Sequence, residues 1–129
     1  MKVSELMTQP VLAMRRGDTV TDAVKFMSAR NISGFLVVRE EGQFGPLSEL
    51  GVVTERDLVR KVVSNGKPLF RTTLEELMTA PIVTVDPSTD IMDAARLMNE
   101  RRIRRVFVAE DDKVVGVVTQ RDLLNAQNR

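Results

Sequence analysis

Gly51-Val52-Val53-Thr54-Glu55-Arg56-Asp57 returns later in the chain as Gly116-Val117-Val118-Thr119-Gln120-Arg121-Asp122, six of seven residues identical, with Leu58 and Leu123 following in step. A Gly followed by two β-branched apolar residues reads as the end of a strand. Thr-x-x-Asp ahead of an apolar residue reads as a helix start, with Thr at the N-cap and Asp at N3. Each copy therefore encodes a strand, a tight turn and a helix N-terminus. Such a terminus presents unpaired N–H groups and partial positive charge, which suits an anion such as phosphate. One Thr-x-x-Asp alone is a bare capping box; two in matching contexts argue for more.

Outward from the heptapeptide, the duplication covers nearly the whole chain. Ser4-Glu5-Leu6-Met7-Thr8-Gln9-Pro10 is answered by Glu75-Glu76-Leu77-Met78-Thr79-Ala80-Pro81, an offset of 71 residues. That offset holds through Val20/Ile91, Asp22/Asp93, Ala23/Ala94, Met27/Met98 and Ile32/Ile103, and falls to 65 at the heptapeptide. The first repeat thus carries six extra residues, placed between Glu41 and Gly51. Ser4 and the Thr73-x-x-Glu76 box cap a short helical turn at each opening. Pro10 and Pro81 demand extended backbone just before them, and short strands follow over 11–14 and 82–85. Thr19 and Asp90 cap the next helices, on which Val20, Ala23, Val24 and Met27, or Ile91, Ala94, Ala95 and Met98, share a face. The Met pair reads as core filling. Strands follow over 32–38 and 103–109. In the second repeat Glu110-Asp111-Asp112-Lys113 makes a hairpin to 114–118. In the first, a longer loop contains Gly42, Phe44, Gly45, Pro46, Leu47 and Leu50, a partner-contact surface or a plain connection. The last helices carry Leu58, Val62 and Val63, or Leu123 and Leu124.

The order per repeat is β-α-β-β-α, which makes the fold α+β. Residues 1–66 form the first repeat and 67–129 the second. Strands joined by a helix are expected parallel, and the hairpin adds an antiparallel neighbour. Burying the two apolar sheet faces against each other about a pseudo-twofold axis is the expected packing.

Composition narrows function by exclusion. The 129 residues include no Cys and no His, which removes disulfides, thiolate nucleophiles and the commonest general base and metal ligand. Net charge is +1 and the aromatics are five Phe, which weighs against nucleic acid as a partner. No apolar run nears the length of a membrane span, and the start Met1-Lys2-Val3-Ser4-Glu5 lacks a signal peptide's apolar core, pointing to the cytoplasm.

The Leu-Met-Thr-x-Pro openings, the helices ending in Met, the strands after Ile32 and Ile103 and the Gly-Val-Val-Thr-x-Arg-Asp endings, duplicated in order, resemble a cystathionine-β-synthase (CBS) domain pair, or Bateman module. The resemblance is to stand-alone CBS proteins of bacteria and archaea, which form homodimers. It implies a non-catalytic sensor that binds an adenine nucleotide (AMP, ADP or ATP) in a cleft between repeats and transmits ligand state to a downstream protein. The alternatives are a binder of NAD or S-adenosylmethionine, or a nucleic-acid-binding CBS protein with a basic stripe through Arg56, Arg60 and Lys61, and no catalytic cofactor or metal is implied. Carried over, the second cleft would use Asp122 for the ribose hydroxyls, supported by Thr119, with Arg121 also among its residues. Thr79 would line it, Val83 and Ile103 would flank adenine, and Arg104 and Arg105 would meet phosphate. The first-cleft equivalents are Thr8, Leu12, Ile32, Ser33, Gly34, Thr54, Arg56 and Asp57. Ser33 and Gly34 replace the two arginines, so that cleft lacks its own phosphate cation.

The residue chemistry fits this implication. A carboxylate accepts both donors of a cis-diol, and Arg–phosphate hydrogen bonds contribute about 1.5–3 kcal/mol each. The competing readings are weaker. Arg101, Arg102, Arg104 and Arg105 also suit a solvated helix end. Catalysis by Asp57 or Asp122 lacks a neighbouring nucleophile. A structural adaptor would bind no nucleotide at all.

Overall fold

The computed structural model describes residues 1–40 and 45–127. In chain order the elements are β1 (Ala13–Arg15), α1 (Val20–Arg30), β2 (Gly34–Val38), β3 (Gly51–Thr54), α2 (Glu55–Asp57), α3 (Leu74–Leu77), β4 (Thr84–Val85), α4 (Ile91–Arg101), β5 (Arg105–Glu110), β6 (Lys113–Thr119) and α5 (Gln120–Gln127). Short 3₁₀ turns span Val3–Glu5 and Leu47–Glu49, and a π-helical run, Leu58–Val63, continues α2. The chain forms two compact units. The inner unit is Leu12–Pro81; the terminal unit joins Met1–Val11 to Ile82–Arg129.

Each unit is the expected β-α-β-β-α assembly. In the inner unit β1 runs parallel to β2 and β2 antiparallel to β3. In the terminal unit β4, β5 and β6 repeat that order and those directions. Local chemistry explains the elements. The Thr19 hydroxyl accepts from the Asp22 N–H at 3.2 Å, and Asp22 returns the bond from the Thr19 N–H at 3.1 Å, a complete capping box for α1. Asp90 caps α4 by accepting from Met92 N–H at 2.8 Å. Asn31 and Arg102 end these helices in the left-handed region, φ 52° and 55°. The β5–β6 hairpin turns on Asp111 and Asp112, φ 52° and 60°, the positive pair that matches strand twist.

Each unit has its own core. Met14, Val20, Ala23, Met27, Phe35, Val37, Val53, Leu58, Val62, Leu74 and Leu77 pack together in the inner unit. Val3, Ile91, Ala94, Met98, Val106, Val108, Val118 and Leu123 do so in the terminal unit. Met27 and Met98 are thus core residues, as their spacing indicates.

The openings dock crosswise. Thr79 N–H and C=O pair with Val52 of β3 (2.9 and 3.0 Å), and Thr8 pairs in the same way with Val117 of β6 (2.8 and 3.2 Å). The second opening therefore belongs to the inner unit and the first to the terminal unit. Both openings end at a cis X-Pro bond, Gln9–Pro10 and Ala80–Pro81.

Several expectations are corrected. Ser4 is not a cap: it lies inside the 3₁₀ turn, and Lys2 N–H at its start donates to Glu5 Oε2 at 2.6 Å. Regular strand starts later than 11 and 82, at Ala13 and Thr84. The pairing nonetheless runs ahead of it, since Leu12 and Val83 carbonyls accept from Leu36 and Phe107 N–H. Val24, Val63 and Leu124 are exposed, because each sits one position past the buried stripe of its helix. In the first-repeat loop Leu50 is fully buried and so offers no contact surface, while Phe44 lies outside the described residues.

Two predictions follow from these contacts. A Cβ on Gly51 would lie 2.5 Å from Met78 Sδ and 2.9 Å from its Cγ. Gly51→Ala should therefore lower unfolding free energy by about 1–3 kcal/mol, the cost of overpacking. Adding Met78→Ala should recover part of that loss in a denaturant double-mutant cycle; unchanged stability of the single variant would refute the contact. The second concerns acid. Hydrogen bonds from the Thr19 N–H hold Asp22 below the ordinary carboxylate range, and those from the Thr73 N–H do the same for Glu76. A carboxylate with a depressed native pKa stabilises the fold above its unfolded pKa, near 4, and loses that contribution as pH falls further. The Asp22→Asn/Glu76→Gln double variant should melt below wild type at pH 7, with the gap closing toward pH 3. A gap that does not change with pH would refute the assignment.

Candidate functional site

Each unit ends its last strand at a Thr-x-x-Asp. In the inner unit Thr54 caps α2: Asp57 N–H donates to Thr54 Oγ1 at 3.2 Å. Asp57 Oδ2 in turn receives Thr54 N–H at 2.9 Å and Thr54 Oγ1–H at 3.1 Å. In the terminal unit Asp122 N–H donates to Thr119 Oγ1 at 3.2 Å, and Asp122 Oδ2 receives Thr119 N–H at 2.8 Å. Both carboxylates are half-buried, and in each one oxygen is fixed by its own turn.

The second oxygens differ. Asp57 Oδ1 faces Lys61 Nζ at 3.4 Å. That ammonium also donates to Leu77 C=O at 2.8 Å and Thr79 Oγ1 at 3.4 Å. Among the described residues no cation pairs with Asp122, and the position matching Lys61 is Ala126. Sequence reasoning missed Lys61 as a partner of Asp57. Its signal was the i, i+4 spacing from Asp57, which puts both side chains on one helix face.

The crosswise openings place Thr79 with Thr54 and Asp57 in the inner unit, which also holds Leu12, Ile32, Ser33, Gly34 and Arg56. They place Thr8 with Thr119 and Asp122 in the terminal unit, which also holds Val83, Ile103, Arg104, Arg105 and Arg121. Each unit therefore holds an acid, its threonine partner and a second threonine from an opening. Leu12 and Ile32, and Val83 and Ile103, are half-buried apolar neighbours in their respective units.

Register distinguishes the two arginines. Arg105 stands opposite Thr119 across β5 and β6, so their side chains share one face of the sheet. In the inner unit Gly34 stands opposite Thr54. Arg104 precedes the strand, is exposed, and its carbonyl accepts from Gln120 N–H at 2.8 Å. With Ile103 it borders a groove of about 570 Å³ between α4 and α5, where Met92 and Leu124 are also exposed. Arg56 and Arg121 are exposed on the first turns of their helices. Among the described residues no group of three or more acidic side chains converges as for a metal ion, and no helix is long and apolar enough to cross a membrane.

A model of the CBS domain matches residues 3–64 and 74–129. The CBS domain-containing protein CBSX3, mitochondrial, of Arabidopsis thaliana is 38% identical over 111 residues, covering 84% of this chain and 52% of that protein. The chain spans 52% to 62% of the length of the first three curated relatives it matches. The hexameric CBS-CP12 protein from bloom-forming cyanobacteria superposes with a TM-score of 0.84 at 35% identity, covering 97% of this chain and 71% of that one. The CBS domain pair of protein MJ0100, solved with 5′-methylthioadenosine and S-adenosyl-L-methionine, gives a TM-score of 0.84. Its identity is 24%, over 99% of this chain and 96% of that one, a likeness of fold. The chain belongs to the CBS-domain family, as a tandem pair of CBS repeats.

Proposed function

We propose that this pair, made of repeats 1–66 and 67–129, is a non-catalytic regulatory module. It binds an adenine nucleotide at the Thr119–Asp122 helix start and passes ligand state to a protein partner in the cytoplasm. One observation carries the reading: Asp122 is oriented through Oδ2, while Oδ1 has no ion-pair partner among the described residues. A half-buried carboxylate with one oxygen anchored is prepared to accept the hydroxyls of a ribose. Thr8 lies on the neighbouring backbone bridge, and Val83 and Ile103 supply apolar surface for a base. Arg105, on the same sheet face as Thr119, and the exposed Arg104 are the arginines proposed to meet phosphate.

Regulation requires that bound and free forms differ, and ligand shifts their ratio by no more than its differential affinity. Self-association offers a way to transmit that shift. Val24, Val59 and Val63 in the inner unit, and Met92 and Leu124 in the terminal unit, are exposed apolar side chains on helices. They favour a homodimer over an isolated chain.

Calorimetric titration with AMP, ADP, ATP, NAD and S-adenosylmethionine tests the reading. One adenine compound should bind, and Asp122→Ala should weaken it about tenfold or more, since a hydrogen bond to a charged group is worth roughly 1.5–3 kcal/mol. Binding of none, or a change within about twofold in a variant with wild-type circular dichroism, would overturn it.

A further inference from the structure

We infer that Lys61 is an internal plug that closes the inner unit's site, so that the duplicated fold carries one working ribose acceptor rather than two. The inference rests on the function proposed above and adds the residue that separates the two sites.

Lys61 Nζ sits over three oxygens contributed by three different parts of the inner unit. The shortest contact, 2.8 Å, is to the carbonyl of Leu77, the last residue of α3. Carbonyls at a helix C-terminus lack intrahelical donors and carry partial negative charge, so an ammonium is held there by both effects. The second is Thr79 Oγ1, and the third Asp57 Oδ1, each at 3.4 Å. Asp57 Oδ2 already accepts two hydrogen bonds from Thr54. With Oδ1 facing Lys61, both oxygens are engaged, and the carboxylate's charge is offset before any diol arrives.

An alternative role for Lys61, as the phosphate cation that Ser33 and Gly34 fail to supply, conflicts with this geometry. The ammonium donates to the Leu77 carbonyl and Thr79 Oγ1 and forms an ion pair with Asp57, contacts that all lie within the inner unit. To reach a phosphate it would have to abandon a helix C-terminus.

The terminal unit has the same cradle without the lysine. Leu6 matches Leu77 and Thr8 matches Thr79 at the 71-residue offset, Asp122 matches Asp57, and Ala126 stands where Lys61 would be. The methyl of Ala126 cannot reach or neutralise the acid. The two sites therefore differ at one side chain whose removal or transfer should exchange their behaviour.

The test is calorimetric counting of AMP sites per full-length chain in wild type, Lys61→Met and Ala126→Lys. Methionine keeps the apolar stem and removes the charge. Wild type should bind one equivalent. Lys61→Met should bind a second, its first-site affinity rising about tenfold or more, the exchange value of one charged hydrogen bond. Ala126→Lys should lose the wild-type site by a similar factor while melting within a few degrees of wild type. A lysine that serves only to cap α3 would change the melting temperature and leave the site count alone. If wild type already binds two equivalents, or if Lys61→Met still binds one, the plug is refuted while the nucleotide-binding reading stands. If no variant binds, both are refuted.

Discussion

The contact on which this architecture depends is a methionine lying on a glycine, made twice. Met78 covers Gly51 and Met7 covers Gly116, each so closely that a Cβ on the glycine would fall within 3.0 Å of the thioether. The close approach brings the backbone after each Met alongside the last strand, where Thr79 pairs with Val52 and Thr8 with Val117. Two hydrogen bonds per bridge then cover an edge that β3 and β6 would otherwise leave unpaired. The same bridge sets a threonine beside each Thr-x-x-Asp. Packing, edge protection and site assembly thus share one local cause, which is why glycine opens both heptapeptides.

The crosswise docking has a topological consequence. The chain passes from the terminal unit to the inner one at Val11–Leu12 and returns at Pro81–Ile82. Neither unit is a continuous repeat, since each completes its core from the other repeat's opening: with Leu74 and Leu77 in the inner unit, and with Val3 in the terminal one, Leu74 and Val3 lying deepest. Both are fully buried. A single repeat would leave that position open and expose the apolar surface around it. The pair is therefore the smallest piece of this chain in which every last strand has its edge partner.

Much of this was legible because the determinants are local. Thr54-x-x-Asp57 and Thr73-x-x-Glu76 read as capping boxes and are capping boxes, and Thr19 reads as a cap and closes one with Asp22, since the bonds run between residues three apart. Asp111-Asp112 reads as a turn because those residue types tolerate positive φ. What was not legible is long-range. The repeat offset shows that Thr8 and Thr79 are equivalent, but not which sheet each one joins. Helical periodicity names a stripe without its width, so Val24 reads as part of the apolar face of its helix although it is exposed. By sequence position Leu50 belongs to its loop, whereas the chain has already turned into the core there.

Duplication makes the unlike positions the informative ones. A shared motif gives both units an anchored carboxylate, and the capping bonds to Asp57 and Asp122 are close to equal in length. Any difference in what the two acids bind must then come from their surroundings. Three substitutions supply it: lysine against alanine at the i+4 position, serine against Arg104, and glycine against Arg105. All three act in one direction. The inner unit has a cation beside its acid and a serine and a glycine at the two arginine positions; the terminal unit has the reverse. On the proposed reading all three differences favour the terminal acid, since each either leaves it without a lysine partner or adds a cation to its unit.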